Sequence, residues 1–203
     1  MRHFSFRPSV TMSGRENRGL RGLAGKPFHP PLTDIPIAAY LFAAVFDIVS
    51  AALPDGHDAL ARQLFVAGTW TVLGGVAVSL LAALTGWADW HRSSEPGTQA
   101  RRTINAHAII MLTVTAVAAV DLVLRLAVYE DRTSAPIAMA VLSAVAALLV
   151  TVGATYGGGL VFDYGFNVET AGDHPVWHHN EVDVFPGDHE PDSDSVDQQT
   201  APA

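Results

Sequence analysis

Cysteine is absent from all 203 residues. Its absence excludes disulfides, thiol redox catalysis and cysteine-ligated zinc or iron–sulfur centres. Charge is absent from two long stretches. No Asp, Glu, Lys or Arg occurs from Gln63 to Ala88, nor from Thr133 to Phe162. No Lys or Arg follows Arg132. The recurrent catalytic strings are missing too: no Gly-rich phosphate loop, no serine elbow with its His and Asp, no His-Glu-x-x-His. The first 30 residues lack the apolar centre of a signal peptide, so no cleavage is expected.

What is present is four apolar segments, roughly Ile35–Leu53, Leu64–Ala88, Ile104–Val128 and Ser134–Phe162. About 18 such residues in a helix suffice to cross the roughly 30 Å hydrocarbon layer. The expected fold class is therefore all-α, an integral membrane bundle of four antiparallel transmembrane helices over residues 29–168. A basic tail over residues 1–28 and an acidic, His-containing tail over residues 169–203 are both expected to be disordered. The formal charge of −8 reflects this asymmetry along the chain.

Charge distribution also predicts orientation. Arg2, Arg7, Arg15, Arg18, Arg21 and Lys26 precede the first span, and Arg92, Arg101 and Arg102 follow the second. The other side carries Arg62, Arg125 and Arg132. Nine against three predicts that both termini lie on the cytoplasmic side of the cell membrane, with Pro54–Arg62 and Tyr129–Thr133 facing out. Asp34 is expected to cap the first helix, with Pro36 in its first turn. Gly75, Ser79 and Ala83, and later Gly153 and Gly157, offer close helix approach.

Four strings in register carry a resemblance. They are His29-Pro30-Pro31-Leu32-Thr33-Asp34-Ile35-Pro36-Ile37, Thr85-Gly86-Trp87-Ala88-Asp89-Trp90, Arg101-Arg102 with Asn105-Ala106-His107, and Gly158-Gly159-Leu160-Val161-Phe162 with Tyr164-Gly165. Over about residues 27–168 the chain resembles the predicted bacterial membrane proteins called domain of unknown function 2231. The resemblance implies a four-helix membrane domain, found in some proteins beside redox modules, and no established activity. Many members carry His where Asp34 stands, and His or a basic residue near Tyr164; this chain departs at both.

The topology sorts the polar residues into two sets. His29, Asp34, Asp89, His91, His107, Asp163 and Tyr164 fall at the cytoplasmic ends of the helices. The structural reading has Asp34 capping, Asp89 paired with Arg101 or Arg102, Trp87 and Trp90 anchoring the interface, and His107 donating a hydrogen bond within a helix–helix contact. The sharper readings are haem b held by His29 and His107, or a metal held by both and a carboxylate. Asp47, Asp121 and Arg125 form a deeper set in the outer half. Asp121 and Arg125 share a helix face, and Arg125 is placed to serve both carboxylates. One reading is an ion pair with Arg125 snorkelling outward; the other is a protonatable relay. In the tail, His178-His179 with Glu181 and Asp183 offer weak binding of a divalent metal, but their spacing matches no ordered zinc site, and the plainer reading is a solvated tail.

The leading functional expectation is a non-enzymatic multi-pass membrane protein, a structural or redox-associated component with a polar cluster at its cytoplasmic face. The alternatives are a haem b electron carrier and small-solute or proton transport. The expected partners are the lipid bilayer and a membrane redox protein or a second copy. Nucleic acid is not expected as a partner of a membrane chain with an acidic tail.

Overall fold

A computed structural model describes residue 20 and residues 27–167. Both tails assigned from the sequence lie almost wholly outside the described residues, as do His178 and His179. Four helices make up the membrane domain: α1 His29–Ala52, α2 Asp58–Ser93, α3 Gln99–Ala127 and α4 Ile137–Phe162. With 24 to 36 residues each, they run about 36–54 Å, and all four are long and apolar enough to cross a bilayer.

Local chemistry sets their ends. Pro30 and Pro31 occupy the first turn of α1, where a missing N–H costs nothing. The helix therefore starts at His29, more than a turn before the expected Asp34. Asp34 makes no cap and is exposed in the second turn, while Pro36 is buried inside the helix. α2 also begins earlier than its apolar run, with Asp58 in the first turn, where a carboxylate suits the positive end of the helix dipole. Only residues 53–57 link α1 to α2. Arg62 is therefore helical, and donates to the carbonyls of Glu130 and Arg132 at 2.5 and 2.7 Å, holding the α3–α4 link. Thr98 caps α3 by accepting from Arg101 N–H at 3.1 Å. Past α4, Gly165 turns into the left-handed region at φ +57°, and Phe166 N–H closes onto the Leu160 carbonyl at 2.8 Å.

The helices form a ring in which α1 packs on α2 and α4, and α3 packs on the same two. α1 and α3 thus stand diagonally opposite. Between them lies a core of small and β-branched side chains: Ala43, Val72, Val114, Ala118 and Val150 around Tyr40. Larger apolar groups point outward, as in Trp70, Leu84, Ile109 and Leu148. An outward apolar shell around a small-residue centre is what lipid solvation selects, since lipid supplies no drive to bury leucine. Gly75 shows the intrachain use of small residues: a Cβ there would come within 2.8 Å of Tyr40 Cε1. The Tyr40 hydroxyl pairs with Ser79 Oγ at 2.8 Å, satisfying both inside the core.

Candidate functional site

His29 opens α1, and His107 lies in the third turn of α3. The ring of helices brings them together across its diagonal. Their ring centres are 6.5 Å apart and their planes stand at 88°. Each imidazole is fixed by a backbone carbonyl of the adjacent helix. His29 Nδ1–H donates to Ala82 O at 3.0 Å and lies 3.1 Å from Thr85 Oγ1. His107 Nδ1–H donates to Gly153 O at 2.8 Å. A carbonyl can only accept, so both Nδ1 atoms carry the hydrogen and each neutral ring keeps its lone pair on Nε2. Among the described residues neither Nε2 has a hydrogen-bond partner.

Both rings rest against glycines four residues beyond their carbonyl acceptors. A Cβ on Gly86 would lie 2.8 Å from His29 Cε1, and one on Gly157 would lie 3.1 Å from His107 Cε1. The two helix pairs, α1 with α2 and α3 with α4, thus build the same device: a histidine, a carbonyl and a glycine. The spacing is shared as well. His29 to Asp47 and His107 to Arg125 are the same 18-residue interval, and His29–His107 and Asp47–Arg125 are both separated by 78 residues.

A cavity of about 840 Å³ opens at this end, lined by all four helices and by both histidines. Ile37, Ile104, Met111, Leu112, Leu160 and Phe162 supply much of its wall. Asp34 and Asp89 also line it; His91, Asp163 and Tyr164 do not, and all three are exposed. Asp89 is buried and accepts from Leu20 N–H at 3.1 Å, and neither Arg101 nor Arg102 pairs with it. Arg101 is drawn elsewhere. It donates to the Trp90 carbonyl at 2.9 Å and lies over the Trp90 ring at 3.7 Å. Arg102 donates to Gln99 Oε1 at 2.9 Å. Trp90 Nε1–H donates to Asn105 at 2.8 Å, while Trp87 is exposed and stacked on His91, as an interface anchor would be. Among the described residues no three His, Cys, Asp or Glu side chains gather in a group that could hold a metal ion.

The deeper set converges at the other end of the same diagonal. Arg125 donates through Nε to Asp121 Oδ2 at 3.0 Å, through Nη1 to Asp47 Oδ1 at 3.0 Å, and through Nη2 to Asp47 Oδ2. Arg125 is 1% exposed, so it does not snorkel. Its fork is engaged in two directions, which an outward-reaching chain would lose. Ser143 of α4 adds a hydroxyl that the sequence concealed within an uncharged run. It accepts from Arg125 Nη2 at 2.9 Å and donates to Asp47.

A family model described as "Predicted membrane protein (DUF2231)" matches residues 25–170. No curated protein and no solved structure matches the chain.

Proposed function

Starting from the membership of this chain in the DUF2231 family of predicted membrane proteins, a description that names a location and no reaction, we propose that it is a haem b-binding electron carrier whose axial ligands are His29 and His107. The observation that carries this reading is the facing pair of histidines, each anchored at Nδ1 and free at Nε2. Metal-ligating histidines commonly hold their second nitrogen this way, because the outer hydrogen bond fixes tautomer and ring direction and raises ligand basicity. The ring separation agrees. An imidazole–metal–imidazole axis with bonds of about 2 Å, and roughly 1.1 Å from each nitrogen to its ring centre, puts the centres about 6.2 Å apart. The observed 6.5 Å falls close to that value. The 840 Å³ cavity lies within the roughly 300–1,000 Å³ of cofactor sites.

A bis-imidazole iron with no open position supports electron transfer rather than oxygen chemistry. In this reading the chain's residues hold the group, keep water from it with apolar walls, and fix its axis across the bundle. The excess of basic residues flanking the His29 end supports a cytoplasmic placement of this site, and hence a redox partner on that side.

Protein made with haem supplied and purified in mild detergent is expected to show the Soret and sharp visible bands of a six-coordinate, two-imidazole haem. His29→Ala and His107→Ala should each abolish that spectrum, while His91→Ala leaves it unchanged. A colourless wild-type protein would remove the proposal.

A further inference from the structure

The end of the bundle opposite the histidines holds a second device. Two carboxylates, Asp47 and Asp121, face one guanidinium, Arg125, and all three are at most 1% exposed. If both carboxylates were ionised, the cluster would carry one uncompensated negative charge in a low-dielectric interior, an expensive state. The hydrogen bonds say where the imbalance lies. Arg125 grips both oxygens of Asp47 and only Oδ2 of Asp121. Asp121 Oδ1 is buried with no hydrogen-bond partner among the described residues. An ionised oxygen in that position would have no donor among the described residues to stabilise it.

The geometry points to a proton-binding site in which Asp121 holds one proton, with Asp47 as the ionised partner of Arg125. Ser143 links the two carboxyls. Its Oγ donates to Asp47 Oδ2 and lies 3.3 Å from Asp121 Oδ2. A hydroxyl has one hydrogen, so it cannot donate to both carboxylates at once. A proton leaving Asp121 through Oδ2 can enter at Ser143 while Ser143 gives its own to Asp47, which makes the hydroxyl a relay. Among the described residues, the other elements facing the cluster bring no further titratable group. α1 contributes Asp47 alone, α2 contributes Phe65, Gly68 and Thr69, and α4 contributes Ser143. The Asp47 side is closely packed: a Cβ on Gly68 would lie 2.9 Å from Asp47 Oδ1. A proton needs no volume. The site is independent of any haem at the other end.

Infrared spectroscopy of the full chain in lipid tests this directly. At about pH 7, where a free aspartate is ionised, the wild type is expected to show a protonated-carboxyl C=O band that shifts in deuterium oxide. Asp121→Asn should abolish the band and, as a neutral mimic of the protonated acid, keep the melting temperature within about 3 °C of wild type. Asp47→Asn should also abolish it, because Asp121 then becomes the only counter-ion of Arg125 and ionises. A wild type without the band, or a band that survives Asp121→Asn, would overturn the assignment.

Discussion

Arg125→Ala is expected to be the most damaging single substitution in the membrane domain, lowering stability in detergent by about 3–5 kcal/mol, as measured by thermal melting. The change removes every donor that Arg125 gives to Asp47 and Asp121 and strands two carboxyls inside the bundle. The geometry also identifies the rescuing partner. Asp47 receives two of the Arg125 donors and Asp121 one, so Asp47 carries the charge that Arg125 balances. Combining Arg125→Met with Asp47→Asn removes both members of that pair, and should recover more than half of the lost stability. Combining Arg125→Met with Asp121→Asn leaves Asp47 unpaired and should recover much less. A wild-type melting temperature for Arg125→Ala would show that the guanidinium contributes nothing inside the bundle.

The second large effect is expected at two glycines. Gly157→Val places a Cβ 3.1 Å from His107 Cε1, and Gly86→Val places one 2.8 Å from His29 Cε1. The His29 ring would have to shift and the His107 ring to give by at least a few tenths of an ångström, and the valine methyls crowd each further, weakening the bonds to Ala82 O and Gly153 O. Loss of such an outer hydrogen bond typically weakens metal binding by about 10–100-fold. Each valine variant is expected to lose haem by at least that factor while retaining its helical circular dichroism. Gly158→Ala is the matched control, because a Cβ there would meet nothing closer than Phe162 Cδ2 at 4.0 Å. Equal haem retention by Gly157→Val and Gly158→Ala would show that the glycine seat does not matter.

The long apolar runs made the four helices legible, because lipid demands them on every face. The starts of α1 and α2 were less legible. The prolines around Asp34 suggested a later start for α1, since Pro36 also suits a first turn; Pro30 and Pro31 took that role instead. His29 and His107 could be nominated from topology alone, which sorts helix ends by side. A hydrogen bond from His107 to a neighbouring helix was also expected, but not its acceptor, Gly153 O, nor the matching bond of His29 to Ala82 O, because a backbone carbonyl leaves no mark in a sequence. Ser143 was hidden for a related reason: one hydroxyl in an uncharged run looks like any small packing residue. The supposed partnership of Asp89 with Arg101 or Arg102 failed because charge proximity along a chain says nothing about competitors. Trp90 offered Arg101 both a carbonyl and a ring face, while Leu20 N–H reached Asp89 from far upstream. The convergence of Asp47 and Asp121 on Arg125 was readable, since two parallel helices bring equal depths together.

The shared 18-residue interval on α1 and α3 acts as a phase lock. Five turns of each helix separate the histidine position from the charged one. Deleting one residue between positions 29 and 47 would rotate one end of α1 by about 100° relative to the other and shorten it by about 1.5 Å. Whichever pair stayed aligned, the opposite pair would be turned away. Extra residues in the link between α2 and α3 would leave both phases untouched. Along α1 and α3, length is therefore set by angular register between two distant polar pairs, as well as by membrane thickness. Sequence variation that adds or removes residues should collect in the links and tails, while these two helices keep their count.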